Sequence, residues 1–232
     1  MRLDGFRPEY LDFQRGIRVG HLEPHQRITQ ILKHTLQDRY QEDFVIDRWG
    51  RGVYWQWICF LPKANRIAKP LSGSHNFSCS KFFIKVDRND SIFKSGLHVE
   101  RGLGNSSKDR PAFQLQEDWD WHRLIKGLRG NRSRLYRALR RLVLEDHFHI
   151  HAGTREKYTR YSHLNFPGAA ELRRTLTEYS DQEWVVFQLY YPMAPDEVKG
   201  STGSDLVEAI LAILQEVVPV MNLCMQVPLP EP

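Results

Sequence analysis

Between Trp121 and Leu144 lie eight cationic side chains: Arg123, Lys126, Arg129, Arg132, Arg134, Arg137, Arg140 and Arg141. No acid falls among them. Arg134, Arg137 and Arg141 follow i, i+3, i+7 spacing and share one helix face, whereas Leu135, Leu139 and Leu142 share another. Guanidinium forks hold phosphate oxygens in pairs, and a helix with one buried Leu stripe and one Arg stripe suits a phosphate backbone. Two other readings compete. One is a solvated basic face whose Arg stems cover apolar surface, or one paired with acids such as Asp118 and Asp120. The other is a surface for an acidic protein partner.

Other constellations carry less. His147, His149 and His151 alternate, so a strand would set all three imidazoles on one face. Same-face neighbours stand ~7 Å apart, too far for three ligands from one flat strand, so a half-exposed hairpin face or further phosphate contacts are expected and no metal site is assigned. Asp47, Asp87 and Glu100 are expected at strand ends, where Lys85 or Lys94 would join them. Their meeting in space would give a metal-dependent phosphodiesterase, the alternative to simple binding. Gly102, Gly104 and Lys108 lack the spacing of a phosphate-cradling loop. Pro195-Asp196-Glu197-Val198-Lys199 holds the letters of a PD-(D/E)XK nuclease motif, but contiguously rather than on adjacent strands, so the match does not carry over. No Ser or Cys nucleophile motif occurs, and no catalytic residue or cofactor is assigned.

The elements that position these residues begin with an aromatic, β-branched stretch from Phe44 to Arg101. Phe44–Trp49 and Val53–Leu61 form a hairpin around Gly50 and Gly52. Lys81–Val86 and Ile92–Glu100 form a second hairpin through Arg88-Asn89-Asp90, with Lys94, Gly96, His98 and Glu100 on one face. Trp184–Tyr191 supplies a late strand. Helices are expected over Gln26–Tyr40, Asp118–Leu128, a stretch opened by Ser133, Ala169–Tyr179, and Asp205–Val218 capped by Ser204 and ended or kinked by Pro219. Residues 1–23, Pro62–Asn76, Gly102–Arg110 and Pro192–Gly203 read as irregular, and Pro111–Gln116 as a short extended piece.

Helix, short turn, helix, then a hairpin bearing Arg155, Lys157 and Arg160 resembles the winged helix-turn-helix arrangement over Asp118–Leu164. The resemblance implies that Arg132, Ser133, Arg134 and Arg137 approach a groove at the start of the second helix, with the hairpin on backbone or minor groove. No residue motif accompanies it.

Length and charge bound the answer. The 232 residues carry a net charge of +5, which permits a polyanionic partner without demanding one. Three scattered cysteines, Cys59, Cys79 and Cys224, suit a reducing cytoplasm, each as a small apolar core residue. The first residues hold no apolar signal segment, and no run of ~18 apolar residues is seen. The sequence therefore predicts an α+β protein, one domain over 1–232, with an antiparallel sheet of four to six strands covered by helices. Residues 118–164 form a basic, winged-helix-like helix–hairpin lobe between early and late strands. The expected function is non-enzymatic binding of DNA or RNA as a subunit of a larger assembly with possible protein partners. A structural protein–protein adaptor is a further alternative, and no membrane association is expected.

Overall fold

The computed structural model describes residues 5–69, 78–102, 116–180 and 183–230. The Gly104 and Lys108 loop and most of the Pro111–Gln116 piece lie outside the described residues. The chain is α+β, with nine strands in one antiparallel sheet and seven α-helices among the described residues. The strands are β1 (Leu11–Asp12), β2 (Gly16–Arg18), β3 (Phe44–Arg51), β4 (Tyr54–Pro62), β5 (Lys81–Asp87), β6 (Ile92–Gly102), β7 (His149–Thr154), β8 (Tyr158–Tyr161) and β9 (Val185–Met193). Their order is β1-β2-β4-β5-β6-β9-β7-β8, with β3 also paired to β4. β3 takes one edge of β4, while β2 (at Tyr54 and Trp55) and β5 (at Trp57–Phe60) share the other.

Nine strands replace the expected four to six for two reasons. β1 and β2 are two and three residues long, too short to show a period. The β7–β8 hairpin does not stand off as a wing: β7 pairs with β9 from His149↔Tyr190 to Thr154↔Val185 and so belongs to the main sheet. The separate winged-helix-like lobe is therefore not confirmed.

The helices are α1 (Ile28–Tyr40), α2 (Lys63–Ile67), α3 (Asp120–Gly127), α4 (Arg134–Leu144), α5 (Ala169–Thr177), α6 (Pro195–Gly200) and α7 (Gly203–Cys224). α2 and α6 correct two stretches read as irregular. α6 opens on Pro195 with Asp196 and Glu197 in its first turn, a combination that favours helix starts. α7 is capped by Thr202, whose Oγ1 accepts from the Asp205 N–H, rather than by Ser204. It runs through Pro219 because Val217, Val218, Val220 and Met221 remain buried. Pro219 lacks an N–H for the carbonyl of Gln215 one turn earlier, and both residues are exposed. By length and composition α7 is apolar enough to cross a membrane, and 56% of that apolar stretch is buried within this fold.

One core joins α7 and the apolar stripes of α1, α3, α4 and α5 to alternate strand residues, among them Ile58, Phe60, Phe82, Ile84, Leu97, Val99, Ile150, Phe187 and Leu189. Strand side chains alternate between faces, so the residues between these point away from the helices. There Cys59, Phe83 and Tyr190 form a second, smaller cluster with Trp57 and Ile92.

Candidate functional site

The arginine-rich segment divides between several environments. On α4, the Ser133 Oγ accepts from the Tyr136 N–H at 3.2 Å and fixes the first turn. Leu135, Leu139, Leu142 and Val143 are buried, which turns the Arg stripe to solvent. Arg129, Arg132, Arg134, Arg137 and Arg140 are exposed, and none of them makes an ion pair among the described residues. Lys126 is exposed on α3. Asp118 and Asp120, considered as neutralising partners, are engaged elsewhere: Asp118 accepts from Gln226 and Asp120 from Lys69 and its neighbours.

The remaining sequence candidates are placed differently. Arg123 has a buried Nε and acts electrostatically on Cys224 in α7, so it belongs to the α3–α7 contact. Arg141 is held by Asp146 and Glu216, both at 2.8 Å. Arg155, Lys157 and Arg160 sit on the β7–β8 hairpin at one margin of the sheet, with Arg160 bonded to Asp90 at 2.7 Å. Tyr136 Oη donates to the Pro167 carbonyl at 2.9 Å and its ring stacks on Phe166. These contacts hold α5 beside α4 and bring exposed Arg173 and Arg174 into the same helical layer.

The face of the sheet turned away from the described helices holds a second assembly that sequence reading resolved only in part. One row of directly opposed residues runs Lys81, His98, Gln188, His151 and Arg160 across five strands. The row beside it runs Asp47, Cys59, Phe83, Gly96, Tyr190 and His149. Gly96 is required there: at φ +157° an added Cβ would overlap the Leu189 carbonyl oxygen and approach Tyr190 Cα to 2.8 Å. Lys81 is ion-paired with Glu100, which also accepts from Trp184 Nε1 at 3.0 Å. Burial alone would raise the Glu100 pKa, but Lys81 and His98 outweigh it and hold the carboxyl down at about 2. Lys85 and Lys94 stand directly opposite each other, an arrangement that repels unless neutralised. Asp87 accepts from both, at 2.9 and 2.7 Å, and Asp90 from Lys94 at 3.2 Å.

Lys85 and Lys94 thus join Asp87 as anticipated, but the three carboxylates do not meet. Asp87 faces Ile92, and Glu100 lies eight residues further along β6, roughly 26 Å at strand rise. Among the described residues no group of three or more His, Cys, Asp or Glu is placed to hold a metal ion. Of the three histidines, His149 and His151 share the strand face. His147 precedes β7 with φ +57° and packs edge-on to His163. His151 stacks on Tyr158 at 4.1 Å, and burial together with Lys94, Lys85 and Arg160 pushes its pKa down to about 3. His98 Nδ1 pairs with Gln188 Nε2 at 3.0 Å, while its Nε2, in a ring only 5% exposed, faces Glu100 Oε2 at 3.3 Å.

This face is a trough rather than a plane. β7 lies five strand intervals from β3, about 24 Å in a flat sheet. Yet the Arg155 guanidinium, just beyond β7, rests 5.3 Å from the Trp49 ring of β3. The Arg160–Asp90 bond likewise ties β8 back to the β5–β6 turn. Curvature brings the margins together over the charged floor.

Compared with protein-family models, curated proteins and solved structures, the chain matches none. The fold and its two surfaces define it as an α+β protein with an arginine-bearing helical layer on one side of a strongly curved antiparallel sheet.

Proposed function

We propose that the protein binds nucleic acid without catalysis, through the guanidinium-rich surface of α4 and the turn before it, as one component of a larger assembly. The carrying observation is that Arg129, Arg132, Arg134, Arg137 and Arg140 stand exposed on one short helix–turn stretch without a carboxylate partner among the described residues, while their helix is anchored by a capped first turn and a buried Leu stripe. Fixed cations of this kind suit phosphates and release counterions on binding. Three unpaired thiols, Cys59, Cys79 and Cys224, suit a reducing compartment such as the cytoplasm.

The test is a salt titration of duplex DNA and RNA binding by the parent and by an R134A/R137A/R140A variant. Each phosphate contact contributes about 0.9 to the slope of log affinity against log salt, so losing three lowers that slope by about 2.7. An unchanged slope and affinity at low salt would overturn the reading.

A further inference from the structure

A cleft opens at the N-terminal end of α1, between that helix, the residues that follow β2, and the β3–β4 hairpin. Its volume is about 340 Å³, at the small end of the ~300–1,000 Å³ range of small-molecule sites. Arg27 and Arg48 line it, and no aspartate or glutamate does among the described residues. Arg27 is anchored by a bond from Nε to the Leu22 carbonyl at 2.7 Å, and its terminal nitrogens have no hydrogen-bond partner among the described residues. The Arg48 guanidinium lies over the Trp55 ring, 3.8 Å from its centre. Stacking of that kind occupies the flat face of the guanidinium and leaves its in-plane N–H fork free. The helix supplies further donors. An arginine at the N-cap has no acceptor to offer, and no side chain caps α1. The Thr29 N–H is left without a partner among the described residues. So is the Thr29 hydroxyl, on a side chain only 4% exposed that forms part of the cleft wall.

Two guanidiniums, an uncapped helix start and a buried hydroxyl thus border one concave space that holds no counter-charge. Such a donor set fits a doubly charged oxyanion. Guanidinium forks hold phosphate oxygens in pairs, and the first N–H groups of a helix, with its dipole, favour negative charge. Val19 and Ile46 add apolar wall beside these donors, which suits a small organic body. We infer that the cleft at the start of α1 binds a phosphate group, free or as a small phosphomonoester, through Arg27, Arg48 and Thr29. The cleft shares no residue with α4, so this reading goes beyond the nucleic-acid proposal and does not depend on it.

The test is calorimetric titration of the full chain with inorganic phosphate and with phenyl phosphate, at constant ionic strength in chloride. Both bind the parent. Arg48→Gln weakens both by about 10- to 100-fold, the loss of a charge-assisted contact, and Thr29→Val by about 3- to 10-fold, the loss of a neutral one. Tighter binding of phenyl phosphate assigns an organic phosphate to the cleft, and equal binding assigns free phosphate. Without phosphate, Thr29→Val melts with the parent, because its hydroxyl has no partner to lose. Arg48 is exposed, so Arg48→Gln carries the test should Thr29→Val fail to fold. The R134A/R137A/R140A variant binds both compounds as the parent does. Binding of neither compound at up to about 10 mM, or equal affinity in the parent, Arg48→Gln and Thr29→Val, overturns the inference. So does phosphate binding that is lost in R134A/R137A/R140A, which would place the anion on α4. Failure of the α4 reading shows instead as duplex binding insensitive to R134A/R137A/R140A, whatever the cleft variants do.

Discussion

Asp120→Asn is expected to destabilise the protein by about 3–5 kcal/mol, the cost of leaving a buried charge without its partner. Asp120 opens α3 and is fully buried, as is Lys69. Its Oδ1 meets Lys69 Nζ at 2.9 Å and accepts from the Gln226 N–H at 3.1 Å. Its Oδ2 accepts from Asn65 Nδ2 at 2.8 Å and from the Ser80 N–H at 2.6 Å. Among the described residues Lys69 would keep Asn65, through its carbonyl at 2.9 Å and Oδ1 at 2.6 Å. An amide nitrogen in place of either carboxylate oxygen would face two donors and offer no counter-charge. It would also lose the favourable acid at a helix start, worth roughly 0.3–1 kcal/mol. With a urea slope of ~2 kcal/mol/M, the unfolding midpoint should fall by roughly 2 M. Tryptophan fluorescence reads it directly, since Trp119 and Trp121 flank the site. The double variant Lys69→Met, Asp120→Asn should recover a large part of the loss, because no uncompensated charge remains. A single variant within about 1 kcal/mol of the parent, or a double variant equal to the sum of the singles, would refute the reasoning.

Three further outcomes follow from described contacts. The folded Glu100 pKa, near 2, lies below its ordinary value, so its contribution is complete above about pH 4.5 and is lost as pH falls toward 2; Glu100→Gln should flatten that acid limb in a pH series of unfolding midpoints. All three cysteines are buried and burial raises each thiol pKa, that of Cys79 to about 11; a thiol reagent at pH 8 should label none in the native protein and all three after denaturation. Gly96→Ala drives a methyl group into β9 and should destabilise by about 3 kcal/mol or more, visible as loss of soluble protein or a lowered melting temperature.

The fold was legible where physics is local. Ser133 before a Leu stripe announces α4, and aromatic alternation announces β4 with its partner across Gly50 and Gly52. Residues that act through distant partners were not. Pro219 reads as a stop because a proline forfeits one backbone bond, but the buried valines around it hold α7 together past that point. α2 is five residues long and shows no period. The arginines separated by what faces them: Arg134, Arg137 and Arg140 meet solvent, whereas Arg141 meets Glu216, seventy-five residues later in the chain. The trough was half visible. Alternation places Lys94, Gly96, His98 and Glu100 on one face, but its closure by Arg155 on Trp49 joins residues more than one hundred positions apart, and no local pattern encodes that.

The position of α7 along the chain has a consequence for synthesis. It follows all nine strands, yet it packs against β6, β9, α1, α3 and α4 and fills the middle of the main core. At 5–20 residues per second, about 5–20 s separate the emergence of Gly102 at the end of β6 from that of Gly203. Throughout that interval the nascent chain displays Phe82, Ile84, Leu97 and Val99 with no helix α7 to shield them. Chaperone occupancy on stalled ribosomes should therefore be highest before α7 leaves the exit tunnel and fall once it has docked.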